Sequence, residues 1–263
     1  MFGRFARWLG RWAYQSLEND KATERLANRE KLRGQPFPDH FLPHVKEVAQ
    51  TAGLSAEQRA KLYRDIQVFL AEKKFVAIDD FPLDDRVRVI VATCASILVL
   101  GRDISLFDHV QEIRVCHRIS LEVHGVYKPV TTTLGGEVFA TWGSVELGWE
   151  EVDDGLAHPD GAHVAFHELA HAFDHADGEL DALTSHEHFT RWSELLHAMP
   201  LYEYLDGDYR VIQLIGDTRG PELFAVASEL FFECPRRLRE LDKDLFDALS
   251  EIYALDPRTL TDR

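Results

Sequence analysis

The sequence predicts an α+β fold that is mainly helical, with a small, mostly antiparallel sheet in the middle of the chain. Three observations lead there. Apolar residues recur at helical spacing from Ser55 to Leu100 and again from Gly161 to Ala254. Between them, "EIRVC", "ISLEVHGV", "GEVFATW" and "SVELGWEEV" alternate apolar and polar residues, as half-buried strands do. Gly135, Gly136 and Gly143 punctuate that stretch where turns between strands would fall. Strands grouped centrally with helices before and after give segregated layers rather than a repeating βαβ pattern.

Taken in order, residues 1–45 form an N-terminal helical arm, interrupted by "GQPFPDH" at Gly34–His40, and residues 46–263 form the main domain. At the start of the arm, Phe2, Phe5, Trp8, Leu9 and Trp12 share one helical face opposite Arg4, Arg7 and Arg11, a pattern that suits a terminal helix packed on its own domain better than the alternative, a helix lying on an anionic membrane surface. Ser55 is placed to N-cap a helix carrying Leu62, Ile66, Phe69 and Leu70. A second helix runs from Leu83 to Leu100 and stops at Gly101. Its apolar stretch from Val89 is about 12 residues, too short for a bilayer span and suited to a core helix. After the strands come the histidine helix at Gly161–Ala176 and helices over His186–Met199, Pro221–Glu233 and Arg236–Ala254.

Composition narrows the function. A formal net charge of −16 repels a sugar-phosphate backbone, which excludes direct nucleic-acid binding and favours a peptide or protein partner. The three cysteines, Cys94, Cys116 and Cys234, are odd in number and widely spaced. They match neither a disulfide scaffold nor a cysteine zinc cluster, and they point to a reducing, cytoplasmic setting. Cys94 and Cys116 sit in apolar segments and read as core thiols. The N-terminus lacks the uninterrupted apolar run of a signal peptide.

The chemistry concentrates in "GAHVAFHELAHAFDHADGE", where His163, His167, His171 and His175 recur every four residues, along one helical face. Only His167 is followed by glutamate, so the HExxH motif is His167-Glu168-Leu169-Ala170-His171. Two imidazoles one turn apart can reach one zinc ion, and the glutamate between them can take a proton from a metal-bound water. His163 and His175 then read as a solvated face or cleft rim. Asp174 is spaced to accept the other ring N–H of a ligand imidazole.

A catalytic zinc needs a third protein ligand. A pattern of the HExxHxxGxxH/D type would use Asp177, with Met199 in the turn beneath, but it requires glycine where this chain has Asp174. The alternative is a glutamate of "GPELFAVASELFFECP", whose Glu222, Val226, Glu229 and Glu233 share one helical face. Glu222 and Glu229 are seven residues, about 10 Å, apart along a helix, so only one can be a ligand. Spacing alone does not choose between them.

"HELAHAFD", "PELFAVASELFFECP", the "GSVELGW" before the histidine helix and Asp256-Pro257 together resemble the Mlc titration factor A family of zinc peptidases. The resemblance spans roughly Leu54 to Pro257. It implies a gluzincin-like zincin fold with a core similar to the catalytic domain of anthrax lethal factor. It implies one zinc per chain on His167, His171 and Glu222, with Glu168 as general base and Glu229 as a neighbour of the site. It also implies aminopeptidase activity in the cytoplasm and, as for the type member, binding to a glucose-responsive transcriptional repressor. One departure stands out. The family's oxyanion-binding tyrosine, seven residues before the ligand glutamate, is Ile215 here, leaving Arg219 or Tyr209 as substitute donors.

The residues and the resemblance together lead to a zinc metallopeptidase, in which one strand of "EVFATW" or "SVELGW" pairs with the substrate backbone. Two rivals belong to other classes. One is a zincin-fold protein that sequesters a transcriptional regulator, which the Ile215 departure favours and the intact Glu168 disfavours. The other is a histidine-face metal buffer, which would bind several weak zinc ions rather than one tight one.

Overall fold

Local signals start the first long helix of the main body as the sequence predicts. Ser55 accepts from the Gln58 N–H at 3.2 Å while the Gln58 side chain accepts from the Ser55 N–H at 2.9 Å, a reciprocal capping box. The computed structural model describes residues 22–118, 128–134, 137–176 and 219–261. The amphipathic start of the arm, the strand expected at "ISLEVHGV" and the helix expected over His186–Met199 lie outside them.

The described helices are α1 (22–33), the short α2 (Leu42–Val45), α3 (Ala56–Glu72), α4 (Asp85–Leu98), α5 (Trp149–Ala157), α6 (Val164–Asp174), α7 (Arg219–Glu233), α8 (Pro235–Leu241) and α9 (Lys243–Tyr253). The strands are β1 (Lys74–Ala77), β2 (Val110–Cys116), β3 (Lys128–Leu134) and β4 (Glu137–Gly148). Helix α4 is buried along almost its whole length, as its apolar run requires. Among the described residues no helix is long and apolar enough to cross a membrane.

The α+β class holds, but the expectation of a mostly antiparallel sheet is corrected. The sheet order is β1-β2-β4-β3, and both β1–β2 and β2–β4 are parallel. Only the edge pair β3–β4 is antiparallel. The reason lies in the connections. Helix α4 lies between β1 and β2 and returns the chain to the same end of the sheet, which makes those strands parallel. Strand β3 then reverses once before β4, so β4 runs alongside β2 in the same sense.

Two strand assignments change as well. "GEVFATW" and "SVELG" are one strand, and Gly143 is not a break between two. The pairing register shifts at Val110/Glu112 beside it, and its N–H donates to the His109 carbonyl at 2.7 Å. The strand ends at Gly148, where "WEEV" turns into α5 with Glu150 and Glu151 in its first turn. The single helix expected over Arg236–Ala254 is two, because the Asp242 side chain caps α9 through the Leu245 N–H at 2.8 Å.

Helix α1 is held to the body by Arg29, only 2 % exposed, whose guanidinium pairs with Glu72 at 2.6 Å and also with Asp108. Cys94 and Cys116 are buried thiols, as expected. Trp149 is also core, stacked under the Arg86 guanidinium at 5.3 Å, while the side chain of Trp142 is outside the described residues.

Candidate metal centre

The histidine helix is entered through a loop that only glycine allows. Gly161 has φ 109°, and a Cβ there would meet Leu230 Cδ2 of α7 at 2.7 Å. The loop therefore lies directly against α7. Helices α6 and α7 pack antiparallel: Phe166 stacks on Phe232 with centroids 5.4 Å apart, and Phe173 on Phe224 at 6.3 Å. Ala165, Phe166, Leu169, Ala170, Ala172 and Phe173 are all buried, so α6 is wedged in the core and held rigidly.

From this helix the two motif histidines converge. His167 Nε2 and His171 Nε2 are 3.2 Å apart. Two imidazole nitrogens bound to one tetrahedral zinc at about 2.0–2.1 Å would be separated by about 3.3 Å. The pair therefore fits a shared metal ion without rearrangement. His167 keeps some solvent contact, whereas His171 and Glu168 are buried, with Glu168 only 1 % exposed. Glu168, between the two histidines in sequence, is thus enclosed by the protein.

Of the other two histidines, His163 is not on a solvated face, and that expectation is corrected for it. His163 is 1 % exposed, and burial pushes its pKa down to about 4, so its ring is neutral. It is the residue before α6, packed on Gly155 of α5 and against Phe166 at 4.8 Å. His175 is exposed, but its Nδ1–H donates to the His171 carbonyl at 2.8 Å and closes the end of the helix. Neither ring is arranged with the motif pair.

Glu229 is the residue the spacing did not resolve. Its Oε1 accepts from His167 Nδ1 at 2.5 Å, and its Oε2 accepts from the His163 backbone N–H at 2.6 Å. The imidazole partner proposed for Asp174 is therefore supplied, for His167, from α7. Helical periodicity pointed to the right face, but only the antiparallel packing of α7 on α6 brings it to His167. Glu233, on the same face, instead accepts from Gln50 at 2.8 Å. From Phe224 to Glu233, α7 is buried on every side, not only on its Leu223/Phe224/Leu230/Phe231 face.

Position 222 lies in the first turns of α7, and its side chain is outside the described residues, as is that of Arg219. Asp177, Met199, Tyr209 and Ile215 lie outside them altogether. Among the described residues no cluster of three metal-ligating side chains occurs.

A HExxH helix with converged imidazoles, buried against a mixed sheet, defines a metallopeptidase-like protein. The chain belongs to the glucose-regulated metallo-peptidase M90 family, whose model matches residues 23–254. The match begins well before Leu54, where the resemblance read from motifs began. The chain is 31% identical to an uncharacterised protein of Synechocystis over 87% of its own length and 89% of that protein. It is 26% identical to the Mlc titration factor A of Pectobacterium atrosepticum, and 26% identical to that of Cronobacter sakazakii, in each case over 78% of this chain and 82% of the relative.

Proposed function

We propose that this protein is a zinc-dependent peptidase of aminopeptidase type, holding one zinc ion per chain on His167, His171 and Glu222, with Glu168 as the general base. The observation that carries the reading is the 3.2 Å approach of the two Nε2 atoms on a rigid helix that also bears Glu168. Glu222 is supported by register. It is seven residues from Glu229, hence on the same face of α7, the face that meets His167. Because α6 and α7 are antiparallel, moving from Glu229 to Glu222 runs in the direction from His167 to His171.

When bound, the metal would act as a Lewis acid on the scissile carbonyl and lower the pKa of its water. Glu168 would take the proton from that water and deliver it to the leaving amine. Burial of Glu168 keeps bulk water from competing for that proton. Among the described residues the "EVFATW" half of β4 pairs with β3 and the "VELG" half with β2, the two partners overlapping only at Gly143 and Ser144, so the reading keeps a strand of "EVFATW" or "SVELGW" as the place where the substrate backbone pairs. The reading includes a cytoplasmic setting, with residues 46–263 as the catalytic domain and 1–45 as an arm.

Elemental analysis should find close to one zinc per chain. Glu168→Gln should retain that zinc and lose hydrolysis of amino-acyl amides. Retention of full activity in Glu168→Gln would refute the mechanism, and several weakly held zinc ions would instead favour a metal buffer.

A second reading is favoured by the names of the relatives: a protein that binds a transcriptional regulator, with weak or vestigial hydrolysis. Regulator capture unaffected by Glu168→Gln, together with negligible peptidase turnover in the wild type, would select it.

A further inference from the structure

The geometry points to Glu229 as a positioning residue that sets the tautomer of His167 and, with the same carboxylate, the start of the metal-binding helix. The inference rests on the metal-site reading for its purpose, though not for its geometry.

The residue just before a helix commonly caps it with its own side chain. His163 does not: α6 begins with no side-chain cap at that position. The His163 N–H instead donates to Glu229 Oε2, 66 residues later in the chain, at 2.6 Å. One N–H at the start of α6 is thus satisfied from a neighbouring helix. The second oxygen of the same carboxylate lies 2.5 Å from His167 Nδ1. A carboxylate is only an acceptor, so this contact places the proton on Nδ1. In the neutral ring that leaves the Nε2 lone pair directed toward His171 Nε2, where a metal ligand must present it.

The two oxygens serve different ends of one turn of α6. The His163 contact fixes where the helix starts, and the His167 contact fixes how the ring is rotated about its bonds. With Glu229 only 7 % exposed, both bonds form away from bulk water and hold their geometry. Phe166 against Phe232 keeps the two helices in register between these contacts.

Glutamine is the informative replacement. It has the same shape but one acceptor oxygen and one amino group, so it cannot accept from both donors. If the oxygen stays on the His163 N–H, the amide nitrogen must donate to His167 Nδ1. The ring proton then moves to Nε2, where it blocks metal binding.

Nitrogen-edited NMR of the metal-free full chain with labelled histidine tests the tautomer directly. The wild type should show His167 protonated at Nδ1, and Glu229→Gln should shift the population toward Nε2–H. Zinc affinity, measured with a competing chelator, should fall about 10–100-fold in Glu229→Gln. Glu229→Asp, which keeps two acceptors on a shorter stem, should recover part of it. A wild-type His167 protonated at Nε2 overturns the inference, even if Glu229→Gln fails to fold. So does a folded Glu229→Gln with affinity within about twofold of wild type. A wild type that binds no zinc but shows the Nδ1 proton would refute the metallopeptidase reading and leave the tautomer assignment standing.

Discussion

Gly155→Ala sets two effects of opposite sign against each other. Gly155 lies in the last turns of α5, where alanine would gain up to about 1 kcal/mol in helix propensity. The added Cβ would stand 3.0 Å from His163 Cγ, and 3.2 Å from both its Cα and Cδ2. All three are tighter than ordinary van der Waals contact, and one is backbone. His163 has little room to yield, being 1 % exposed and packed against Phe166. Overpacking at such a site costs about 1–3 kcal/mol, so the net effect should be a loss of about 0–3 kcal/mol. For a chain of this size that is a fall of roughly 2–4 °C in Tm per kcal/mol. Relief of the clash would push His163 away from α5 and carry its N–H off Glu229, so zinc affinity should also fall. Calorimetry with a chelator titration measures both. A Gly155→Ala variant that is stabilised and binds zinc as the wild type does would show that His163 gives way freely and that α6 does not need its fixed start.

Three further outcomes are expected. Arg29→Ala should cost about 3 kcal/mol, the lower end for a broken buried pair because Glu72 and Asp108 keep some solvent contact; urea unfolding checks it, and a loss below about 1 kcal/mol would show that α1 is not held by this pair. His163 and His109 both have folded pKa values of about 4, below the unfolded value of about 6.5. The unfolded chain therefore binds more protons between those pH values, and stability should fall as pH drops from about 6.5 to 4, by on the order of 3 kcal/mol per histidine; His163→Leu should flatten the dependence of unfolding free energy on pH, and an unchanged slope would contradict the burial argument. Glu222→Gln should lower zinc retention while Asp177→Asn leaves it intact, and the reverse result in metal analysis would move the third ligand to Asp177.

What could be read from the sequence is what local chemistry decides. The Ser55 cap, the core helix at Val89–Leu100 and the pairing of His167 with His171 each depend on residues within about one helical turn of one another. Strand direction does not. Whether β2 and β4 are parallel depends on which end of the sheet the intervening chain returns to, and alternation is the same either way. Strand β1 was missed for a related reason: four residues carrying Lys74 and following α3 without a turn residue look like the end of that helix. His163 was misread because periodicity places a residue on a helix face but does not reveal that Gly155 has made room for its ring.

Helix α7 shows why the rest of the site could not be read from spacing. A helix buried on all sides can satisfy its apolar residues in several rotations, since burial alone is nearly the same in each. Three polar side chains remove that freedom, and each is bound to a different part of the fold. Ser228 meets the Tyr253 hydroxyl of α9 at 2.7 Å, Glu229 meets α6, and Glu233 accepts from Gln50 near the N-terminal side of the domain. Buried donors and acceptors left unmatched would cost about 1–3 kcal/mol each, so a slip of even one residue along the helix is opposed at three points at once. The rotation that satisfies all three turns Glu229 to His167, and helical periodicity then carries position 222 onto the same face. The placement of the α6 histidines and the face on which position 222 lies are therefore set by the same polar contacts, which join residues from 25 to 183 apart in the chain.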